Sequence, residues 1–189
     1  AFAVDTAQLS SDLSALLRQR ITSQLEDDGY AADLVQAVAG DTVSTTRLLH
    51  DPLDVRVRIQ LLRGLRDQGR LTAVQAVVQR ASRLAEKGDL PLDVLSSTEV
   101  VDPSRFESAS EKGLFDATER LNPLAERGAY QELCDVLVES TPALEAFFDG
   151  DQSVMVMADD PALRMNRLNL LGVLRNQAAV FAQFELIQS

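Results

Sequence analysis

The stretch DPALRMNRLNLLGVLRNQAAVF, residues 160–181, indicates the fold class of this chain. Asp160 can accept hydrogen bonds from the free backbone N–H groups at a helix start, and Pro161 suits the first helical position. Apolar residues then recur at helical spacing, so one face is expected to be buried. They are Leu163, Leu170, Leu171, Leu174, Ala178 and Phe181. The stretch predicts a long helix from Pro161 to about Phe184, with Arg164, Arg167 and Arg175 on another face.

The rest of the chain has the same helical character. Leu, Ala, Gln, Glu and Arg dominate it, and the 189 residues include only nine glycines and six prolines. Further helices are expected over residues 6–26, 31–39, 45–50, 51–68, 71–87, 107–126, 130–139 and 141–148, and Pro123 is expected to kink or end one of them. The first helix is predicted to bury Leu9, Leu13, Leu16, Leu17, Ile21 and Leu25. The predicted class is an all-α bundle of about seven to nine helices.

Residues 88–104 are the longest predicted loop, because they contain Gly88, Pro91, Pro103 and a Ser-Ser-Thr cluster. We expect residues 1–189 to form a single helical domain, with possible layers over 1–88 and 104–189 joined by this loop. The chain lacks an initial Met, so we expect a fragment of a longer protein. No signal peptide and no apolar run of about 18 residues is visible, and one cysteine fits a reducing compartment. These features predict a cytoplasmic protein without membrane contact.

Positive charge is concentrated in one segment of an acidic chain. The net charge is −11, yet residues 47–87 hold nine Lys or Arg against four acids. Two basic stripes result, one with Arg56, Arg63, Arg66 and Arg70, the other with Arg80, Arg83 and Lys87. Overall acidity argues against general binding to DNA or other nucleic acid, whereas the segment predicts one basic face. The alternative is a pair of solvated helix faces with local ion pairs.

Catalytic constellations are absent from the sequence. The one histidine, His50, is expected to cap a helix or lie on the surface, and Cys134 to be a small buried residue. The glycines form no phosphate-binding loop, and the acidic clusters lack the spacing of a calcium loop. We therefore expect no catalytic residue, no metal and no cofactor in this segment.

Several motifs resemble the C-terminal anticodon-binding domain of the bacterial glycyl-tRNA synthetase beta subunit. They lie in residues 147–149 (FFD), 154–160 (VMVMADD) and 163–171 (LRMNRLNLL). Residues 160–164 are similar to the Asp-Ala-Leu-Arg (DALR) motif shared with the tail domain of arginyl-tRNA synthetase, here with Pro161 inserted. Upstream, residues 54–58 and Leu61 resemble an Asp-x-x-x-Arg helix of the family. Arg80 is retained where the family commonly has Asn-Lys-Arg-Val.

The resemblance implies an all-α module of the DALR type that grips the anticodon stem-loop of glycine tRNA. The ligase would be an α2β2 assembly in which the alpha subunit uses ATP to make glycyl-adenylate, so this segment would contribute specificity rather than catalysis. Expected RNA contacts are Arg80, Arg83, Lys87, Arg63 and Arg66. Asp160, Arg164 and Arg167 are expected to be structural, with the arginines braced against Asp159 and Asp160. The alternative function is a helical scaffold that docks subunits without touching RNA.

Overall fold

The computed structural model describes residues 6–188, and within that range it contains helices, turns and loops but no strand. The α-helices are α1 (Thr6–Asp27), α2 (Ala32–Ala39), α3 (Thr45–His50), α4 (Pro52–Asp67), α5 (Leu71–Ala85), α6 (Ser97–Val100), α7 (Ala109–Glu126), α8 (Tyr130–Phe148) and α9 (Pro161–Ala179). Two short 3₁₀ turns lie at Pro103–Arg105 and Phe184–Leu186. The predicted all-α class is confirmed.

Local sequence signals account for where several helices begin. Asp160 accepts a hydrogen bond from the Ala162 N–H at 2.8 Å, and Pro161 is the first residue of α9. Asp51 caps α4 in the same way, with Pro52 at the first position. Such side chains bond backbone N–H groups that have no partner inside the helix. The predicted starts of α4 and α9 are therefore confirmed.

Two internal prolines do not end their helices, and the predicted break between residues 139 and 141 is wrong. Pro123 lies inside α7, and Pro142 lies inside α8, which continues from Tyr130 to Phe148 as one helix. Proline lacks the N–H that an interior helical position donates, so each position weakens its helix locally. α7 and α8 pack against each other, and buried side chains such as Leu137 and Leu144 lie on both sides of Pro142. Tertiary packing thus outweighs the local penalty.

Helix α9 packs against both α5 and α7, and its apolar face lies in the core. The predicted face is confirmed, since all of its members are buried: Leu163, Leu170, Leu171, Leu174, Ala178 and Phe181. The helix ends at Ala179, earlier than expected, and the chain turns back so that Gln183 N–H donates to the Ala37 carbonyl at 2.8 Å. This contact brings the C-terminal segment against α2.

The predicted apolar stripe of α1 is wrong for most of its length. Leu25 is buried and Ile21 partly buried, whereas Leu9, Leu13, Leu16 and Leu17 are 57%, 52%, 50% and 40% exposed. The helix is attached through its other side, where the Arg18 guanidinium donates to the carbonyls of Ala39 and Val43 at 3.0 and 2.7 Å. Helical geometry separates the two sets, because residues 9, 13 and 16 lie roughly opposite residues 18 and 25.

The segment predicted as a loop, residues 88–104, includes α6 and the start of a 3₁₀ turn, and α9 holds it through side-chain amides. Asn176 donates to the carbonyls of Pro91 and Asp93, both at 2.7 Å, and Asn169 donates to the Val100 carbonyl at 2.9 Å. Buried carbonyls need such partners. The polar residues of the α9 sequence therefore fix the path of this segment.

Candidate nucleic-acid interface

The second predicted stripe lies exposed on α5 and just beyond its end. Arg80, Arg83 and Lys87 follow one another at spacings of three and four residues, which puts them on one side of a helix. The opposite side contains Val74, Val77, Val78, Ala81 and Ala85, all buried in the core. Burial of that apolar side therefore directs the three cations to solvent.

Arg83 and Lys87 are exposed, and neither forms an ion pair with any of residues 6–188. Their charges are available to an external anion. They lie where α5 ends, where the helix carbonyls carry partial negative charge, and cations are favoured at that end. The site thus presents two positive charges, about one helical turn apart, that form no ion pair among residues 6–188.

Arg80 forms an ion pair, but the pair is exposed to solvent. Its Nη1 donates to the Asp149 carboxylate at 2.6 Å, with the two side chains 48% and 71% exposed. Its guanidinium carbon also lies 4.7 Å from the centre of the Phe148 ring. Exposed ion pairs contribute about 0–1 kcal/mol, so an incoming phosphate can compete with Asp149. The Phe148 contact orients the guanidinium at the edge of the α5 surface.

Arg63 and Arg66 of α4 lie in a different environment, beside the junction of α1 and α2. The guanidinium of Arg63 stacks 4.8 Å from the centre of the Tyr30 ring and is exposed. Arg66 forms two hydrogen bonds to the Asp33 carboxylate, at 3.0 and 2.6 Å. These two hydrogen bonds lower the pKa of Asp33 and raise the pKa of Arg66. The main role of Arg66 is therefore structural, because it holds α4 against α2.

The other arginines of the first stripe divide in the same way. Arg56 forms an ion pair with Asp28, while Arg70 is exposed and makes one long contact, 3.4 Å, to Gln68. The basic segment consequently does not act as one continuous surface of free charge. Arg56, Arg66 and Arg80 form ion pairs, whereas Arg63, Arg70, Arg83 and Lys87 are exposed and form none among residues 6–188.

Arg58 is buried at 1% exposure, a feature the charge pattern did not indicate. Its Nε donates to Asp54 at 2.8 Å, one helical turn earlier, and Nη1 donates to the Phe181 carbonyl at 3.2 Å. Burial, and next the charge of nearby Arg47, lowers the pKa of Arg58. Asp54 and Arg58, which form the Asp-x-x-x-Arg motif, are therefore an ion pair within α4. The hydrogen bond from Arg58 to the Phe181 carbonyl connects α4 to the C-terminal segment.

The expected partners of Arg164 and Arg167 are wrong. Arg164 donates to the Ala158 carbonyl at 2.9 Å rather than to Asp160. Arg167 is buried and forms ion pairs with Glu111 at 2.8 Å and Glu107 at 2.9 Å. Burial opposes the charge of Arg167, but the hydrogen bonds to Glu111 and Glu107 outweigh it and raise its pKa. Both arginines do brace the fold, through partners that sequence spacing could not identify.

His50 and Cys134 lie in the environments that the sequence predicted. His50 is exposed in the last turn of α3, and Cys134 is buried, where desolvation raises the pKa of its thiol to about 12. Within residues 6–188, no group of three or more His, Cys, Asp or Glu is arranged to hold a metal ion. No helix in this range combines the length and apolar composition that a bilayer crossing requires.

Comparisons with known proteins identify relatives over nearly the whole chain, although no family model matches it. It is 45% identical over 181 residues to the glycine–tRNA ligase beta subunit of Picosynechococcus sp., covering 93% of this chain and 25% of that protein. It is 42% identical over 196 residues to the same subunit of Acaryochloris marina, covering 99% and 28%. The subunit of Aliivibrio salmonicida is 31% identical over 186 residues, covering 96% and 25%. The chain spans about a quarter of the length of these relatives.

Proposed function

We propose that this chain is the tRNA-binding segment of a glycine–tRNA ligase beta subunit and that it grips the anticodon stem-loop of glycine tRNA. The similarity to beta subunits over 93% of the chain supports the identity of the protein. The DALR-like start of α9 and the motifs within residues 147–171 support the anticodon-binding role. The observation that carries RNA binding is the solvent-facing side of α5, where Arg83 and Lys87 lack ion pairs among residues 6–188 of an acidic chain.

The proposed mechanism begins with phosphate contacts. Arg83 and Lys87 neutralise backbone phosphates of the loop, and Arg80 joins them by exchanging Asp149 for a phosphate oxygen. An arginine fork matches phosphate bidentately, whereas lysine acts as a point charge. Arg63 supplies a further contact, and Arg66 contributes chiefly by holding α4 against α2. The contacts set the register in which splayed anticodon bases are read on their Watson–Crick edges.

The acidic remainder of the chain limits binding to this surface. With a net charge of −11, most of the surface repels RNA, so polyanions outside the basic side of α5 are disfavoured. Under this proposal the chain contributes no catalytic residue. Glycine activation with ATP takes place on the alpha subunit of an α2β2 ligase in the cytoplasm, and the beta subunit holds the tRNA.

The test is a salt-dependent titration of glycine tRNA with the wild-type protein and with Arg83→Gln/Lys87→Gln. Each phosphate contact contributes roughly 0.7 to 0.9 to the slope of log K against log salt. The double substitution is therefore expected to weaken binding and to reduce that slope by about 1–2. Circular dichroism checks that the helix content is unchanged.

The matched control is Arg120→Gln/Arg127→Gln, which removes the same charge from exposed pairs with Glu139 and Glu132. It is expected to leave the slope unchanged. Equal effects of the two double variants would refute the assignment of the α5 surface. No tRNA binding by the wild-type protein, together with capture of the alpha subunit, would favour the scaffold function instead.

A further inference from the structure

The exposed leucines of α1 form one continuous stripe. At about 100° per residue, Leu9, Leu13, Leu16 and Leu17 fall within an arc of roughly 100°, the width of a face that normally packs against a core. They are between 40% and 57% exposed. Single exposed apolar residues are ordinary, whereas a contiguous set marks a surface that binds another surface.

The side of α1 that faces the bundle has the opposite composition. Ser10, Ser11 and Ser14 line a groove of about 700 Å³ between α1 and the segment that connects α2 to α3. Attachment comes from Arg18, which donates to the carbonyls of Ala39 and Val43, and from Leu25 further along the helix. The first turns of α1 therefore present small polar residues inward and leucines outward, the reverse of an outer helix of a bundle.

We infer that the leucine stripe of α1 packs against an apolar surface formed by the same polypeptide outside residues 1–189. The identity of the occupant rests on the proposed function, in that the chain is taken as part of a beta subunit. The relatives are about four times as long as the matched segment, so most of such a polypeptide lies outside this chain. The leucine face of the helix is then buried against that surface.

The charges near the stripe describe the occupant more closely. Arg20 continues the line of Leu13 and Leu16 by one turn, is exposed, and has no ion-pair partner within residues 6–188. The partner surface is therefore apolar along about two turns and acidic at the end that meets Arg20. A second copy of this chain is the weaker occupant, because each copy carries a net charge of −11 and two copies repel.

The experiment compares amide hydrogen exchange of residues 6–17 in the full-length beta subunit and in the 189-residue chain. Slow exchange in the full-length protein, at least ten-fold slower than in the shorter chain, is the expected result. In the full-length protein Leu13→Ser/Leu16→Ser should restore fast exchange. The control Leu53→Ser, at a leucine of α4 that is 70% exposed, should leave α1 unchanged.

Three outcomes would overturn the inference. They are equally fast exchange in both proteins, protection that appears in the 189-residue chain as its concentration rises, and protection that appears in the full-length protein only after the alpha subunit is added. The second identifies a second copy as the occupant and the third identifies the alpha subunit. Because the tRNA titration depends on α5 and not on α1, loss of one result leaves the other interpretable.

Discussion

At the scale of single residues, the ion pair of Arg167 with Glu111 shows how much a charge depends on its surroundings. Glu111 is 0% exposed and Arg167 5% exposed, and their separation along the chain is 56 residues. The Glu111 carboxylate also accepts the backbone N–H groups of Glu107 and Ser108 in a capping box at the start of α7. One carboxylate therefore begins α7 and ties it to α9.

Arg167→Met is expected to destabilise the protein by about 3–5 kcal/mol, because it leaves Glu111 buried without its cation. Urea denaturation followed by circular dichroism measures the change. Arg167→Met combined with Glu111→Gln should recover part of the loss, since the buried charge is then gone. Arg120→Met, at an exposed pair with Glu139, should cost less than about 1 kcal/mol, and a cost equal to that of Arg167→Met would contradict the argument.

Asp160 has a purely local role that sequence alone identified. Asp160→Ala removes the acceptor of the Ala162 N–H and is expected to cost about 0.5–2 kcal/mol of stability. A thermal melt gives the effect, and Asp160→Asn, which keeps a capping oxygen, should restore most of it. An Asp160→Ala protein with the same melting temperature as the wild type would contradict the capping role of Asp160.

At the scale of elements, α9 organises the segment that precedes α7. Gly172 lets the helix approach Leu90, because a Cβ at that position would lie 2.8 Å from Leu90 Cδ2 and 3.2 Å from Leu90 Cβ. The amides of Asn176 and Asn169 then reach the carbonyls of residues 91–100. A long connection is thereby held by a helix that follows it in sequence.

A pair of glycine substitutions tests this close approach. Gly172→Ala is expected to destabilise the protein by about 1–3 kcal/mol, because the new methyl group forces Leu90 away from α9. Gly64→Ala in α4, where nothing beyond the adjoining residues and the backbone of the same helix lies within 4 Å of the added Cβ, should stabilise it by up to about 1 kcal/mol through helix propensity. Chemical denaturation compares the two, and stabilisation by both would show that Leu90 does not constrain Gly172.

At the scale of the whole molecule, Asp33 joins elements that are distant in sequence. Its carboxylate accepts two hydrogen bonds from Arg66 of α4 and one from the Gln188 N–H at 2.8 Å. Arg66 lowers the pKa of Asp33 in the folded protein. The unfolded chain, with an Asp pKa of about 3.9, therefore binds a proton more readily than the folded chain.

The contribution of Asp33 to stability is present above about pH 4 and is lost as the pH falls through its lowered folded pKa. Asp33→Asn is accordingly expected to reduce stability at neutral pH, with a difference from the wild type that shrinks below about pH 4. Urea melts across this range measure it. The exposed Asp151 provides the control, since Asp151→Asn should leave the curve unchanged. A pH-independent difference for Asp33→Asn would contradict the linkage.

The sequence by itself determined the all-α class, the starts of α4 and α9 and the buried face of α9, because caps and helical periodicity act within a few residues. Only the tertiary structure decided which cations are free. Arg66, Arg80 and Arg83 have similar sequence signals, yet Asp33 and Asp149, distant in sequence, engage the first two. It also decided that the leucines of α1 face outward, since periodicity identifies an apolar face but not the body that covers it.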